Sequence, residues 1–589
     1  MRGPITLCLL LVLNSMVWAQ QAENDTSNIP SPNIVLILID DAALMDLGCY
    51  GGEAATPNID RLAKKGTMFT HYRTSPMCAP SRAMLLTGYD SHLTGIPNLP
   101  LFTPPEYATK PGYEGVLNDK VETVGTRLQR KGYRTYVSGK WHLGHSETNL
   151  PNNRGFDRSY ILDASGADNY ENRPYLPTQA SKPPWYKDGQ KVDLPKDFYS
   201  SKNLVDEMIG FHKEAQEQRT PFFSFLSFQA IHIPVQVPKE YTQKYISTYE
   251  KGWDVIKRQR YEKAQNLGII PADAPLGDML PVLRKWNELS AEERKYMAKA
   301  MAVNAGMLEA MDKHIGRYIQ YLEQRGQYEN TVFIITSDNG PEASAAGDVQ
   351  IMKYWMQMVG YHQDYEKLGE RGSYNYIGPE FASAAAGPSA YFKFYGGEGG
   401  LRVPLIFSGP TIPTQSIAAF SMVTDITPTI LSIAGIDQPK QAPAGPMTGR
   451  SLLSVIKGDT NQVYGPTEPI GLEAAGRCVL YKGDMKLVKN GKTYGDYNWE
   501  LYNLTQDPGE TNDLATTSPK VLQEMIDHYS EYAEQVGVLE MGDDYIPLVE
   551  IQNKLVAQYK KSTMPWLLAF IALIVGFVIY RRRRKNALG

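Results

Sequence analysis

The stretch Asn33–Ile39, NIVLILI, is followed directly by two carboxylates, Asp40 and Asp41. Such a continuous apolar run is typical of a strand buried on both faces of a parallel sheet. Similar runs occur at residues 221–228 (PFFSFLSF), 331–335 (TVFII) and 404–407, with helical patterns between them. Strands that alternate with helices predict an α/β fold, a large doubly wound mixed sheet flanked by helices.

The pattern changes after about residue 437. Short alternating segments at residues 477–481, 486–488 and 500–504, followed by a helical stretch from 518 to about 536, predict a smaller antiparallel sheet with a packed helix. We therefore expect a large α/β domain over residues 32–437 and a C-terminal antiparallel subdomain over residues 438–549. Residues 550–563 are polar and are predicted to be a linker.

Both ends of the chain carry apolar segments. Arg2, an apolar core at residues 5–13 and small residues up to Ala19 predict a cleaved signal peptide over residues 1–19. Residues 564–580 hold no charged side chain, and the basic tail 581–589 begins with four arginines. This pattern predicts a single C-terminal transmembrane helix with a cytoplasmic tail. The body would be membrane-anchored and extracytoplasmic, either periplasmic or at the cell surface.

Charge and cysteine content narrow the function classes. With 60 basic and 64 acidic residues, the formal net charge is −4, which gives no reason to expect a nucleic-acid partner. Without the signal peptide, only Cys49, Cys78 and Cys478 remain, too few for a disulfide framework. Cys49 and Cys478 are left either to pair or to stay free.

Hard oxygen ligands follow two of the predicted strands. Asp40 and Asp41 end the first run, and Asp338 and Asn339 follow the run at 331–335. Adjacent carboxylates are costly to hold together unless a cation neutralises them. Each pair alone also fits a turn or a helix cap. Together at one sheet edge, they predict a site for Ca²⁺ or Mg²⁺.

The run Cys78-Ala79-Pro80-Ser81-Arg82 is the most specific motif in the chain. A lone cysteine is more often a buried structural residue. Here, however, it is accompanied by basic groups that lie just past strands or in glycine-rich turns: Lys140, His142, His232 and Lys393. Fixed positive charge and a proton donor are the groups that hydrolysis of a sulfate ester requires.

In this order, the segments resemble the formylglycine-dependent sulfatases of the alkaline phosphatase superfamily, with bacterial arylsulfatases the most similar. The resemblance runs from about residue 32 to 514. It is carried by the Cys78 motif, Asp40-Asp41, Gly139-Lys140-Trp141-His142, Gly155-Phe156-Asp157, Ser337-Asp338-Asn339-Gly340, and Glu398-Gly399-Gly400 with Arg402. It implies that a formylglycine-generating enzyme oxidises Cys78 to an aldehyde, whose hydrate attacks the sulfur of the ester.

The resemblance also implies a role for each site residue. One Ca²⁺ per active site would be bound by Asp40, Asp41, Asp338, Asn339 and the modified residue 78. Arg82 would hold the nucleophile and offset its charge, and Asp338 is a candidate base. The sulfate oxygens would be bound by Lys140, His232 and Lys393, and His232 or Lys393 would protonate the leaving alcohol. His142 would take the proton that expels sulfate.

Three functions remain open on this evidence. The first is an arylsulfatase-type sulfuric ester hydrolase acting on aryl or small alkyl sulfates, with a carbohydrate sulfatase as its variant. The second is a phosphodiesterase or phosphonate monoester hydrolase on the same scaffold. The third is a non-enzymatic, membrane-anchored binder of sulfated glycans in which Cys78 is never modified. The long segments 168–197 and 343–391 are predicted to shape the pocket entrance.

Overall fold

A computed structural model describes residues 31–557, except 145, 180, 216–219, 346, 348, 440–441, 543–544, 548 and 555. Ten strands form one large sheet in the order β11-β2-β10-β9-β1-β8-β4-β5-β6-β7. Their bounds are β1 Asn33–Ile39, β2 Thr67–Phe69, β4 Arg134–Lys140, β5 Arg158–Leu162, β6 Trp185–Lys187, β7 Gln190–Lys191, β8 Phe222–Ser227, β9 Thr331–Ser337, β10 Leu405–Ser408 and β11 Gln415–Ile417. A two-stranded sheet pairs β3 (Tyr72–Arg73) with β12 (Ser421–Met422).

The centre of the large sheet is parallel. The first strand β1 pairs in parallel with β8 on one side and β9 on the other, and β4 is parallel to both β8 and β5. Antiparallel pairs occur further out, between β9 and β10 and between β5 and β6. Every residue of β1 is buried, as its continuous apolar run predicted. Two apolar cores cover the opposite faces of the sheet, because alternate residues Val35 and Leu36 belong to different cores.

Helices pack on both faces of this sheet. The longest described helix begins after Ser290, whose hydroxyl and Glu293 form the expected capping box. The helices are α1 Pro57–Lys64, α2 Cys78–Thr87, α3 Ser91–Thr94, α4 Val124–Arg130, α5 Ser200–Glu214, α6 Ile246–Tyr249, α7 Trp253–Asn266, α8 Ala291–Gln324, α9 Gln350–Met358, α10 Gly378–Ala386, α11 Glu398–Leu401, α12 Ile426–Ile433, α13 Leu453–Lys457 and α14 Pro519–Val536.

A smaller antiparallel sheet follows in the chain. It consists of β13 Ile470–Ala474, β14 Arg477–Lys482, β15 Met485–Lys489 and β16 Trp499–Asn503, paired in sequence order. Helix α14 packs on it through Met525 and Tyr529. The chain is therefore a mixed α/β protein with one large and one small sheet, and within the small sheet strand β13 is the one that the sequence pattern did not reveal.

The prediction of a transmembrane helix is wrong for the structure as described. Across residues 31–557, apart from the gaps given above, no helix is both long enough and apolar enough to cross a membrane. Even the 34-residue helix α8 carries lysines, arginines and glutamates along its length. The segment 564–580 on which the prediction rested lies outside the described residues, as do the basic tail and the predicted signal peptide. The predicted membrane-anchored location is corrected with it, since no described helix supports such an anchor.

Candidate active site

The carboxyl ends of β1 and β9 bring the predicted oxygen ligands together. The backbone N–H of Asp338 donates to the carbonyl of Ile39 (3.2 Å), and the N–H of Asp41 donates to Asp338 Oδ1 (3.2 Å). Carboxylate oxygens of Asp40, Asp41 and Asp338 all lie within 4.8 Å of one another, fully buried. Asn339 Nδ2 donates to Asp41 Oδ1 at 2.7 Å, which joins the fourth residue to the cluster.

These residues fit a hard cation. Three buried oxygens, Asp40 Oδ1, Asp41 Oδ2 and Asn339 Oδ1, have no hydrogen-bond partner among the described residues. Burial, together with the neighbouring Asp338 carboxylate, raises the pKa of Asp40 well above its ordinary value, although Lys140 acts to lower it. Buried carboxylate and amide oxygens without hydrogen-bond donors, gathered at one point, are the ligands that a divalent cation binds.

Cys78 occupies the first position of helix α2, beside this cluster. Its side chain is buried, and Sγ lies 3.4 Å from His142 Nδ1. Burial raises the pKa of the Cys78 thiol despite the opposing charges of Lys140 and Lys393. An unmodified cysteine here is therefore a protonated, poor nucleophile.

Arg82 lies one helical turn beyond Cys78 and faces the carboxylates. Its Nε donates to Asp338 Oδ2 (2.8 Å), and a terminal nitrogen donates to Ser227 Oγ (2.6 Å) and to the carbonyl of Lys140 (2.9 Å). Its other terminal nitrogen is 3.7 Å from Asp40 Oδ2. The guanidinium is thus occupied in fixing the oxygen ligands and the end of β4.

Strand β4 delivers Lys140 to the opposite side of the cluster. Lys140 Nζ donates to Asp40 Oδ2 at 2.6 Å, and both side chains are fully buried. The preceding Gly139 has φ +125, and a Cβ there would lie 1.7 Å from the carbonyl oxygen of Ser227. Only glycine permits this close approach of β4 to β8, so Gly139 sets the position of Lys140.

The two histidines have different surroundings. His232 Nδ1 contacts the carbonyl oxygen of Ile233 (2.6 Å), so this nitrogen donates and Nε2 faces Asp41 Oδ2, 3.9 Å away. Burial and the charges of Lys393 and Lys140 lower the pKa of His232 well below its ordinary value. The pKa of His142 is also lowered, by burial and then by Lys140 and Arg82. Both rings are accordingly neutral in the described structure.

Lys393 completes the cationic side. Its Nζ lies 2.7 Å from Asp41 Oδ1 and 2.8 Å from Glu342 Oε2, with the ammonium almost fully buried. Burial acts to lower the pKa of Lys393, but Asp41 and Glu342 outweigh it and raise that pKa well above its ordinary value. Lys393 therefore carries a positive charge in the resting site.

Backbone strain concentrates at the same place. Asp41 and His142 adopt left-handed backbone conformations, with φ of 67° and 61°, which residues other than glycine rarely adopt. Phe394, next to Lys393, has φ 74. Strained residues persist where the surrounding structure over-determines them, and such positions cluster at functional sites.

The structure brings together all ten site residues predicted from the sequence, in one buried cluster around the ends of β1, β4, β8 and β9. The site also includes Glu342, Ser227 and Tyr175, which were not predicted from the sequence. Glu342 follows Asp338-Asn339-Gly340-Pro341 in the loop after β9, so its place near the ligands was visible from spacing alone. Tyr175 had no such signal; its ring packs edge-on against His232, with centroids 5.0 Å apart. The described cysteines are all free, so Cys49 and Cys478 do not pair.

Comparison with known proteins agrees with this geometry. The Sulfatase family profile matches residues 32–436, and the profile of the N-sulphoglucosamine sulphohydrolase C-terminal region matches residues 390–535. An uncharacterized sulfatase of Schizosaccharomyces pombe is 35% identical over 553 residues, covering 90% of this chain and 98% of the relative. An arylsulfatase of Klebsiella aerogenes is 35% identical over 432 residues, and the match covers 72% of this chain and 92% of the arylsulfatase.

Solved structures share the fold. The crystal structure of Ps i-CgsB in complex with k-i-k-neocarrahexaose superposes with a TM-score of 0.61 at 22% identity, covering 90% of this chain and 99% of the other. With most of the α/β body matched by one family profile and full-length relatives at 35% identity, the chain belongs to the sulfatase family, whose members hydrolyse sulfate esters.

Proposed function

We propose that the protein releases sulfate from aryl or small alkyl sulfate esters, with formylglycine made from Cys78 and one Ca²⁺ held by Asp40, Asp41, Asp338, Asn339 and residue 78. The observation that carries the aryl assignment is the aromatic environment of the leaving-group side. The ring of Tyr175 packs against His232, and the ring of Phe394 lies 5.2 Å from Lys393 Nζ. Aromatic faces beside these groups would favour a flat, apolar leaving group.

Each polar group has a task in this proposal. When present, formylglycine would supply a hydroxyl nucleophile in place of the Cys78 thiol, and Ca²⁺ would add its positive charge to that of the lysines. Lys140 and Lys393 bind the non-bridging sulfate oxygens, and these buried cations stabilise the charge that develops there. The leaving oxygen takes its proton from Lys393 Nζ, because the neutral His232 ring carries its proton on Nδ1, which donates to the carbonyl of Ile233.

The other two residues act at position 78. His142 Nδ1, 3.4 Å from the Cys78 side chain, is placed to take a proton from the substituent of that residue and so to promote release of sulfate. Arg82 fixes Asp338 and the carbonyl of Lys140, which keeps the oxygen ligands in one arrangement. A displaced ligand set would misplace both the nucleophile and the sulfate, and small displacements lower rates strongly.

A carbohydrate sulfatase is the second candidate. The match of residues 390–535 to the C-terminal region of N-sulphoglucosamine sulphohydrolase favours it, since that region here includes Lys393 and the small sheet. Sugar hydroxyls would need polar partners at the rim beyond Tyr175 and Phe394. Substrate preference therefore separates two versions of the same chemistry.

The test compares kcat/KM on nitrophenyl sulfate, sulfated monosaccharides and oligosaccharides, and nitrophenyl phosphonate. The protein is produced with a formylglycine-generating enzyme, and Cys78→Ala is the matched inactive control. A preference for the aryl sulfate of tenfold or more supports the proposal. Activity confined to the sugars would replace it with the carbohydrate assignment, and a preference for the phosphonate would overturn both.

A further inference from the structure

Glu342 is a buried carboxylate at the edge of the site to which the proposed chemistry assigns no task. It is 5% exposed and lies in the loop that follows β9. Its Oε2 is 2.8 Å from Lys393 Nζ, and its Oε1 accepts the backbone N–H of Ser344 (3.0 Å) and the Ser344 hydroxyl. The two carboxylate oxygens therefore serve different partners, one in the site and one in the loop.

Lys393 depends on two carboxylates for its position. An ammonium group has three N–H donors. Two are directed at Asp41 Oδ1 (2.7 Å) and Glu342 Oε2 (2.8 Å), which fixes the direction of the third. The backbone of the same loop adds a further tie, because the Lys393 N–H donates to the carbonyl of Pro341 at 3.1 Å.

The two carboxylates are not equivalent. Asp41 also contacts Asn339 and has an unpartnered oxygen within the proposed cation site. A cation there would compete with Lys393 for the charge of Asp41. Glu342 has a ligand oxygen within 4.8 Å of ligand atoms of Asp41 and His232 but no described hydrogen bond or ion pair with Asp40, Asp338 or Asn339, and Lys393 is its ion-pair partner among the described residues.

We propose that Glu342 is a positioning residue: it holds the Lys393 ammonium so that the third N–H points at the oxygen that leaves the sulfur. This inference rests on the proposed sulfatase chemistry of the site. It extends that proposal by stating which residue orients the leaving-group cation. A flexible lysine without this anchor retains its charge but loses its direction, and productive orientation contributes strongly to rate.

The competing explanation is that Glu342 only shapes the loop through Ser344. Ser344→Ala separates the two roles, since it removes the hydroxyl contact to Oε1 and leaves the contact of Oε2 with Lys393 intact. Glu342→Gln keeps the shape of the side chain and can still accept from Ser344 but removes the charge. Glu342→Asp keeps the negative charge on a shorter side chain. If this variant recovers activity, the loss in Glu342→Gln comes from the missing charge and not from misfolding.

The experiment measures kcat and KM for a series of aryl sulfates with increasingly poor leaving groups. For Glu342→Gln we expect kcat to fall about tenfold on the best leaving group and about hundredfold on the poorest, in line with the usual size of proton-transfer contributions. KM should change less than threefold, about 0.6 kcal/mol. Glu342→Asp should recover part of the loss, and Ser344→Ala should stay within about twofold of the parent.

A double variant completes the test. If Glu342 acts through Lys393, then Glu342→Gln combined with Lys393→Ala should be no slower than Lys393→Ala alone. Additive losses, or equal losses on every leaving group, would overturn the inference. A Glu342→Gln variant as active as the parent would also overturn the inference. In that case the activity of the parent on sulfate esters would still support the proposed function. A parent protein without sulfate ester activity would overturn both.

Discussion

His92 is charged and buried between two carboxylates at the contact of the two sheet-bearing parts. In helix α3, its Nδ1 lies 3.1 Å from Asp90 Oδ1, and its Nε2 lies 2.8 Å from Glu473 Oε2 at the end of β13. Tyr532 of α14 donates to the other oxygen of Asp90 at 2.8 Å. Burial alone would lower the pKa of His92, but hydrogen bonds to Asp90 and Glu473 raise it from 6.5 to about 9.

This shift predicts a pH-dependent part of the stability. A group whose pKa is raised on folding stabilises the fold fully below its unfolded pKa, and that stabilisation is lost as the pH rises through its folded pKa. The shift from 6.5 to about 9 corresponds to about 3 kcal/mol at 1.36 kcal/mol per unit. The loss should occur between about pH 6.5 and pH 9. With an unfolding entropy of about 1 kcal/mol/K for about 500 residues, it equals about 3 °C in Tm.

The assay follows thermal unfolding of the parent and of His92→Gln from pH 6 to pH 9.5. The glutamine variant should unfold at lower temperature at pH 6, and the difference from the parent should shrink by about 3 °C at pH 9.5. His362→Gln, at a partly exposed histidine outside this triad, is the control for the general effect of pH. A gap between His92→Gln and the parent that stays constant over this range would refute the reasoning.

Three further predictions concern the site and its supports. Adding Ca²⁺ to chelator-treated protein at a hundredfold excess over Kd should raise Tm by about 2–3 °C in calorimetry. Asp41→Asn should abolish this rise. An unchanged Tm of the parent protein would contradict the cation site. Gly340→Ala should lower both Tm and the activity on sulfate esters, because the added Cβ would lie 1.9 Å from the carbonyl oxygen of Gly399. A variant with the Tm and the activity of the parent would refute this close contact. Lys486→Met should lower the free energy of unfolding in urea by about 3–5 kcal/mol, because Glu398, 3.0 Å from Lys486 Nζ, would lose one buried partner. A decrease in that free energy below about 1 kcal/mol would show that the remaining partners of Glu398 suffice.

The local chemistry of the site was readable from the sequence where a strand runs directly into its functional residue. The apolar run before Asp40 and the run before Asp338 each predicted a buried parallel strand, and the polar residues necessarily follow at the same sheet edge. Cys78 and Arg82 were recognised together as one sequence motif, and the structure places them one helical turn apart in α2. These features depend on neighbours in sequence, and they agree with the structure.

The long-range features were not readable in the same way. The strand order, in which β1 lies between β8 and β9, depends on which chain crossovers pack best, and no local pattern encodes that choice. Likewise, Glu342 reaches Lys393 from 51 positions earlier in the chain, and Glu473 reaches His92 across 381 positions. The predicted membrane span at residues 564–580 lies outside the described residues, and none of the described helices is long and apolar enough to cross a membrane.

The most direct test of the central claim is the mass of the tryptic peptide of residues 74–82, measured on a preparation that hydrolyses nitrophenyl sulfate. We predict formylglycine at position 78 in the active preparation. An active preparation in which residue 78 is an unmodified cysteine throughout would contradict the account, because hydrolysis would then not require formylglycine.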